Sequence, residues 1–313
     1  MYCRNDIYIT ETQYNYGSKK LFKLHYKSDH KVIMSIDQHI ESHLSCKVID
    51  KKTISAGETS SFKILTSTDL SIFAKYQDIE NDNLINQANE LLLLSESVET
   101  PKVLGFSKNC LLLEWIETSH NSNHQAEIGK VLANLHKRTN QYFGFDYDNT
   151  IGEMPQHNAI NQSVTSWSDF FWEYRLLLQI KYALKKKLIS HKEYTKLLLI
   201  KSKLKNLMSN LIKPSLLHGD LWSGNVINGI NGPVFIDTSC YYGHSEADLA
   251  LTYMFGGFSN DFYRSYEVYS PLESGFEQRK PIYMLYHYLN HLNIFGRSYH
   301  SGVLSCTNQI LDS

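Results

Sequence analysis

The pattern of apolar and polar residues changes twice along the chain. After a polar and aromatic stretch over residues 1–33, the segment that follows Met34 has the spacing of an amphipathic helix, with Ser35 as its N-cap. Short runs rich in β-branched and aromatic residues then predict three antiparallel strands, a helix over residues 83–95 and two more strands up to residue 117. Beyond this point, most segments have apolar residues at helical spacing.

This order of elements predicts an α+β chain with two lobes. Residues 34–117 are expected to form a small antiparallel β-lobe with one helix, and residues 118–313 a larger helical lobe. Residues 1–33 are either a loose extension or a short hairpin at the edge of the small lobe, and the pattern leaves both open. Helices of the larger lobe are predicted over residues 125–139, 167–182, 191–212, 246–255 and 279–295, interrupted by a loop and strand segment over 215–238.

Charge and composition exclude several classes of protein. The chain has 31 Lys and Arg residues against 32 Asp and Glu, so it lacks the positive excess typical of nucleic-acid-binding proteins. No apolar run approaches the roughly 18 residues of a membrane helix, and residues 1–33 lack the apolar core of a secretory signal. The five cysteines are scattered without a CxxC pair, which argues against a disulfide framework and a zinc site. We expect a cytoplasmic monomer that binds neither nucleic acid nor membrane.

The segment over residues 216–238, LLHGDLWSGNVINGINGPVFIDT, contains the most informative motif. Asp220 follows a His-Gly pair, Asn225 comes five residues later, and Asp237 follows a short apolar strand. Phosphoryl transfer needs one carboxylate that accepts a hydrogen bond from the attacking hydroxyl, and an Asn and a second Asp that hold Mg²⁺ against the nucleotide phosphates. A single Asp is most often a turn residue or a cap, but three polar residues at this spacing predict a catalytic site.

A kinase also needs a cation and a phosphate-binding turn in its β-lobe. Lys75 lies in the apolar strand SIFAKYQ, where a lysine that contacts the α- and β-phosphates is expected, although such a side chain could also face solvent. The turn ISAGETSSF offers Gly57 and the hydroxyls of Ser60 and Ser61 to phosphate oxygens, a weak motif by itself.

A third candidate is the end of the last strand of the small lobe. The residues Glu114, Trp115 and Ile116 are predicted to form the hinge, whose backbone groups would hydrogen-bond adenine. The same pattern also fits a strand end that binds no ligand.

Taken together, these residues resemble the fructosamine kinase (ketosamine 3-kinase) family, which has a protein-kinase-like fold. The similarity lies in LLHGDLWSGN, in IDTSCYYGHSEADLA over residues 236–250, and in further segments such as FGFDYDNTIG, WSDFFWEYR and MFGGF. It extends from Met34 to about Arg297. The resemblance implies ATP- and Mg²⁺-dependent phosphorylation of the 3-hydroxyl of a free or protein-bound ketosamine, a sugar joined to an amine by glycation. The sugar would be a ribulosamine, an erythrulosamine or a fructosamine, and phosphorylation would release it from the amine.

The resemblance also implies roles for individual residues. Asp220 would be the catalytic base, Asn225 and Asp237 the Mg²⁺ ligands, and Lys75 the phosphate lysine. Two further residues, Trp222 and His291, are candidates for the substrate pocket. Asp248 would accept backbone hydrogen bonds from the catalytic loop.

One departure from the family pattern concerns the partner of the lysine. Alignment places Gln87 where the family has the helix Glu that pairs with it, and Glu90 lies three residues later on nearly the same helix face. Either Glu90 replaces that Glu, or Gln87 bonds Lys75 without a charge; the register of the family favours Gln87.

Two other functions compete with this interpretation. One is a small-molecule kinase of the aminoglycoside or choline type, which shares the HGD-x4-N core but not the WSGN and YYGH segments. The other is a nucleotide-binding relative without catalytic activity, a hypothesis that only Gln87 favours.

Overall fold

The chain divides into two compact units in the computed structural model. The first unit comprises residues 1–93 and 102–115, and the second comprises residues 94–101 and 116–313. The division after Trp115 lies two residues before the boundary expected from the sequence. The structure describes residues 15–16, 19–20, 34–119, 124–208 and 212–313.

The N-terminal stretch contains one short pair of strands. Strands β1 (Asn15–Tyr16) and β2 (Lys19–Lys20) pair antiparallel in a two-stranded sheet of their own. The rest of the extension predicted over residues 1–33 lies outside the described residues.

A five-stranded antiparallel sheet forms the centre of the first unit, with the strand order β3-β4-β5-β7-β6. Its three leading strands and the helix after them are where the sequence pattern predicts them. The elements are α1 (Ile36–Leu44), β3 (Val48–Ser55), β4 (Thr59–Thr66), β5 (Ser71–Gln77), α2 (Asn83–Leu94), β6 (Val103–Phe106) and β7 (Cys110–Glu114).

Helix α1 begins at the predicted cap. Ser35 Oγ accepts a hydrogen bond from the Gln38 amide, and Gln38 Oε1 accepts one from the Ser35 amide at 2.7 Å. This reciprocal capping box satisfies two amides that the helix itself cannot bond. The helix ends where Ser45 adopts a left-handed conformation, with φ at 52°.

The two helices of this unit cover opposite faces of the sheet. Side chains alternate between faces along a strand, so Leu112 packs with Ile36 and Ile40 of α1, whereas Leu111 and Leu113 pack with α2. Both helices are where the sequence pattern predicts them, so the lobe has α1 in addition to the one helix expected among its strands. Helix α1 covers apolar side chains on the face of Leu112 that would otherwise be exposed to water.

The second unit is mainly helical, as expected. Its helices are α3 (Gln125–Leu135), α4 (Trp167–Phe171), α5 (Leu177–Lys185), α6 (His191–Leu198), α7 (Ile200–Leu207), α8 (Glu246–Thr252), α9 (Asn260–Tyr269), α10 (Phe276–Phe295) and α11 (His300–Asp312). Its strands are β8 (Asn149–Ile151), β9 (Met154–Gln156), β10 (Ser215–Leu217), β11 (Val226–Gly229), β12 (Gly232–Phe235) and β13 (Tyr241–Gly243).

Several helix predictions need correction. The helix expected over 167–182 is interrupted by a π-helical turn, Trp172–Leu176, which carries the buried Arg175. Its guanidinium donates to His157 O and to Asn158 Oδ1, and this tertiary anchor accounts for the irregular turn. The helix expected over 191–212 is divided at Leu199, and α9 and α11 were not predicted.

Two antiparallel pairings hold the ends of the motif segment. Strand β10 pairs with β13, and β11 pairs with β12 in a hairpin. The loop after β10 and the loop after β12 are therefore brought side by side. In the part of the chain that the structure describes, no helix combines the length and the apolar character needed to cross a membrane.

Two buried histidines of the second unit resist protonation. Burial, reinforced by the positive charge of Arg279, lowers the pKa of His244 from 6.5 to about 3. Burial, with a contribution from His291, lowers the pKa of His287 to about 3 as well. Among the described residues, Nδ1 of His287 has no hydrogen-bond partner. Both rings are therefore neutral in the folded protein at pH values at which the unfolded chain binds protons.

We predict that His287→Gln makes the protein less sensitive to acid. Below pH 6.5 the histidine of the unfolded chain binds a proton, whereas His287 in the folded protein stays neutral down to about pH 3. The free energy of unfolding therefore decreases as the pH is lowered, by about 2 kcal/mol per buried histidine at pH 5. Urea unfolding at pH 7 and pH 5 should show a smaller stability loss in the variant than in the wild type. His191→Gln, which changes an exposed histidine of α6, is the control. Equal losses in wild type and His287→Gln would contradict the prediction.

Candidate active site

The loop after β10 makes a turn that only glycine tolerates. Gly219 has φ at 85°, and a Cβ at this position would lie 1.9 Å from the carbonyl oxygen of Ser239. Because this approach excludes any side chain, the loop can lie directly against the segment that follows Asp237. The His-Gly-Asp order thus has a steric cause.

His218 links the same two segments. Its Nε2 donates to the carbonyl of Ile236 at 3.0 Å, and its Nδ1 accepts from the amide of Asp220 at 3.3 Å. Burial lowers the pKa of His218, which agrees with a neutral ring in this one tautomer. The imidazole thereby ties the backbone before Asp237 to the amide of Asp220.

Asp248 of α8 fixes the same loop through hydrogen bonds to its backbone. Its Oδ2 accepts from the amide of His218 at 2.7 Å, and its Oδ1 accepts from the amide of Gly219 at 2.9 Å. The role that the family resemblance implied for Asp248 is confirmed. His136 Nε2 lies 3.1 Å from the same carboxylate, and His136 Nδ1 lies 2.8 Å from the hydroxyl of Tyr266. Burial would raise the pKa of Asp248, but these hydrogen bonds and the neighbouring histidines outweigh it and lower the pKa.

The three residues of the predicted catalytic motif lie in one hydrogen-bonded cluster. The side-chain nitrogen of Asn225, Nδ2, donates to the backbone carbonyl of Asp220 at 2.8 Å, to Asp220 Oδ2 at 3.1 Å and to the backbone carbonyl of Asp237 at 3.4 Å. Burial and repulsion from the Asp237 carboxylate raise the pKa of Asp220 to about 7, against a smaller opposing effect of Asn225. A carboxyl group with a raised pKa is suited to accept a proton at neutral pH.

The donor set fits a hard divalent cation. Since the nitrogen of Asn225 bonds protein acceptors, its Oδ1 is directed elsewhere, and Asp237 adds carboxylate oxygens. Mg²⁺ prefers oxygen ligands of this kind, one or two from the protein and the rest from phosphates and water. Asp237 also has φ at 52°, a conformation that non-glycine residues adopt at a cost and that is common at functional sites.

Both predicted pocket residues belong to an exposed aromatic cluster of the second unit. Trp222 is 39% exposed, which excludes a role as a core residue, and its ring makes a T-shaped contact with Phe255, with centroids 6.1 Å apart. His291 contacts the same Phe255 at 5.1 Å and bonds the His287 carbonyl through Nδ1. Phe255 thus connects two residues that are 69 positions apart in the sequence.

In the first unit, the lysine contacts the residue that the family register predicts. Lys75 Nζ donates to Gln87 Oε1 at 3.1 Å, from the middle of β5 to α2. Glu90, the alternative partner, is buried at 1% exposure and also has at least one interaction. The contact with Gln87 is a hydrogen bond to a neutral amide, so the lysine receives less electrostatic support there than a carboxylate would supply.

Hydroxyl groups brace the turn between β3 and β4. Ser60 Oγ donates to the carbonyl of Gly57 at 3.5 Å, and the hydroxyls of Ser61 and Ser55 are 2.6 Å apart. Ser61 is buried. The two hydroxyls proposed for phosphate binding therefore already make contacts within the turn.

At the end of β7, two backbone amides already form hydrogen bonds with neighbouring segments. The amide of Glu114 donates to the Lys102 carbonyl, and the amide of Trp115 donates to the Ser71 carbonyl at 3.3 Å. Lys63 Nζ lies 4.0 Å from the centroid of the Trp115 ring. A contact of this segment with adenine would need other groups, such as the amide of Ile116.

Three residues of this site were not found from the sequence. His136 and Phe255 lie far in sequence from the motif and carry no spacing signal, and the linking role of His218 depends on which residue its ring faces. A periodicity that separates apolar from polar positions cannot distinguish a histidine that anchors a carboxylate from an ordinary buried one.

Solved structures define the fold class. A structure of an inferred fructosamine-3-kinase from Thermobifida fusca superposes with a TM-score of 0.82 at 25% identity, over 89% of this chain and 99% of that one. An ADP-bound aminoglycoside phosphotransferase superposes with a TM-score of 0.55 at 16% identity, over 87% of this chain and 95% of that one. The predicted α+β, protein-kinase-like fold is confirmed.

Sequence comparison then defines the family. The family described as fructosamine kinase matches residues 31–313, and the chain belongs to this family. The chloroplastic protein-ribulosamine 3-kinase of Arabidopsis thaliana is 41% identical over 207 residues, which are 64% of this chain and 61% of that protein. An inferred ketoamine kinase of Enterococcus faecium is 43% identical over 195 residues, 62% of this chain and 69% of that protein. The match thus spans less than two thirds of the Arabidopsis protein.

We predict that Asp248→Asn destabilises the second unit. The amide side chain keeps one acceptor but places N–H donors against an amide that also donates, so the free energy of unfolding should fall by about 3 kcal/mol. Urea unfolding measures the loss. Asp261→Asn, which changes an exposed residue in the first turn of α9, is the matched control. An unchanged unfolding midpoint in Asp248→Asn would show that the carboxylate does not hold the loop.

Proposed function

We propose that the protein transfers the γ-phosphoryl group of ATP to the 3-hydroxyl of a ketosamine. The observation that carries the proposal is the cluster in which Asn225 bonds both Asp220 and the backbone of Asp237. It brings together the residue types that phosphoryl transfer requires. The names of the Arabidopsis and Enterococcus relatives support a ketosamine as acceptor.

Asp220 would act on the acceptor. Its carboxylate accepts a hydrogen bond from the sugar hydroxyl and takes the proton as the oxygen attacks the γ-phosphorus. The bond between that phosphorus and the β,γ-bridging oxygen breaks, and ADP leaves with the electron pair. Asn225 orients the Asp220 carboxylate through the 3.1 Å hydrogen bond.

Other residues would bind the nucleotide. Asn225 Oδ1 and the Asp237 carboxylate would hold Mg²⁺, which neutralises charge on the phosphates when it is bound. Lys75, oriented by Gln87, would contact the α- and β-phosphates. Backbone amides near Gly57, with Ser60 and Ser61 bracing the turn, would contact phosphate oxygens, and the segment Glu114–Ile116 would contact adenine.

The surroundings in which the protein acts are part of the proposal. Four described cysteines, Cys46, Cys110, Cys240 and Cys306, are buried as free thiols, and burial raises the pKa of Cys110 and Cys306 to about 12. Unreactive thiols of this kind support a reducing, cytoplasmic compartment. We propose a monomer that acts on a free or protein-bound ketosamine without nucleic acid or membrane.

We predict that Asp220→Asn lowers kcat while the variant keeps its fold and its affinity for ATP. Loss of the proton acceptor should cost on the order of 10²–10⁴-fold in turnover of a ribulosamine. Steady-state kinetics measure kcat, and calorimetric titration measures ATP affinity. Turnover near the wild-type rate would refute the role of Asp220.

A panel of acceptors separates the proposal from its competitors. Wild-type protein should consume ATP with a ribulosamine, an erythrulosamine or a fructosamine. Turnover with an aminoglycoside alone would indicate the other class of small-molecule kinase. Binding of ATP without consumption on any acceptor would indicate a nucleotide-binding relative.

We predict that Gln87→Glu raises kcat/KM for ATP and that Gln87→Leu lowers it. A carboxylate would turn the 3.1 Å hydrogen bond of Lys75 to a neutral amide into a stronger ion pair with charge on both partners, whereas leucine offers no acceptor. Glu90→Gln, an isosteric change on the same helix, should have a smaller effect than Gln87→Leu. A large loss in Glu90→Gln with no effect in Gln87→Leu would identify Glu90 as the functional partner.

A further inference from the structure

Five rings form a continuous row on the surface of the second unit. Trp222 and Phe255 meet at an interplanar angle of 70° with a separation of 6.1 Å, and Phe255 contacts His291 at 5.1 Å. His291 in turn contacts Phe295 at 5.6 Å and Tyr299 at 4.9 Å, all between ring centroids. We call these five residues the aromatic row.

Three of the five residues of the aromatic row are exposed to solvent although their side chains are largely apolar. Phe295 is 62% exposed and Phe255 is 41% exposed, next to Trp222 at 39%. Single exposed apolar residues are common on protein surfaces, but adjacent exposed rings that contact each other form a patch of the kind that binds ligands. Exposure also means that a change at Phe295 should cost little stability.

One end of the row lies at the loop that carries Asp220. Trp222 is two residues after Asp220, and its ring lies so close to Gly224 that a Cβ there would be 2.2 Å from it. The other end of the row is at the C-terminus of α10, where Phe295 is the last helical residue. The row therefore leads outward from the catalytic loop.

The chemistry of the row suits an amine that carries an apolar chain. A ketosamine has a secondary amine on C1, two carbons from the C3 that carries the reacting hydroxyl, and this amine is protonated at neutral pH. The faces of Trp, Phe and Tyr rings attract cations, and aliphatic chains pack against their apolar surface. Burial lowers the pKa of His291, so its ring adds no positive charge that would repel the amine.

We propose that the aromatic row is the subsite for the amine-bearing part of the substrate. The protonated amine lies against Trp222 and Phe255, and the chain that carries it runs along His291, Phe295 and Tyr299. This inference rests on the proposed function, because it takes the sugar to be at Asp220. It makes the enzyme selective for ketosamines on long aliphatic amines, such as a lysine side chain, over those on short amines.

Two substrates with the same sugar test the subsite. One is the ribulosamine of methylamine, and the other is the ribulosamine on the side chain of Nα-acetyl-lysine amide. Phe295→Ala should raise KM for the lysine adduct about fivefold, the effect of losing contact with one to two methylene groups. It should leave kcat for both adducts and KM for the methylamine adduct unchanged. Phe295→Tyr, which keeps the ring, should restore KM.

The control removes a comparable ring elsewhere. Tyr269 at the end of α9 is 40% exposed, and Tyr269→Ala should change neither substrate's KM. An effect of Phe295→Ala on both adducts alike, or on neither, would overturn the subsite while leaving the proposed function in place. If the wild type phosphorylates neither adduct, the proposed function and the subsite fall together. Sedimentation velocity adds a last check: a dimer that Phe295→Ala converts to a monomer, with unchanged KM, would make the row an interface and overturn the subsite.

Discussion

The position of the loop that carries Asp220 depends on hydrogen bonds to the buried carboxylate of Asp248. Two consecutive amides, those of His218 and Gly219, point at its two oxygens at 2.7 and 2.9 Å. A buried carboxylate is costly unless its lone pairs are occupied, and here the backbone of the loop occupies them. The loop cannot move away without leaving both the charge and the two amides unsatisfied, so its position follows from the position of α8.

The position of α8 is in turn determined by a second buried charge. Glu246, two residues before Asp248 on α8, receives two hydrogen bonds from the Arg279 guanidinium of α10, Nε to Oε2 at 2.7 Å and Nη2 to Oε1 at 2.5 Å. A bidentate pair of this kind fixes the orientation of the guanidinium relative to the carboxylate as well as the distance between them. Since α10 also carries His291, one helix sets both the loop that would hold the reacting hydroxyl and the rings beside it.

The two units contribute different kinds of residue. The second unit holds the proposed proton acceptor and metal ligands in one hydrogen-bonded cluster, whereas the first holds Lys75 on a strand of the sheet. Lys75 Nζ donates a hydrogen bond to the neutral amide of Gln87, and the lysine has at least one further interaction.

Local sequence determined those features that depend on neighbouring residues. The strands of the first unit, the cap at Ser35 and the spacing from Asp220 to Asn225 follow from side-chain alternation, backbone capping and loop length, which act over a few residues. Tertiary structure alone decided the rest. The π-helical turn depends on what the Arg175 guanidinium meets, the anchor at Asp248 depends on His136 112 residues away, and the aromatic row depends on Phe255 lying between Trp222 and His291. Contacts between residues so distant in the chain leave no periodic signal, because their energy comes from burial and hydrogen bonding that exist only after the chain has folded.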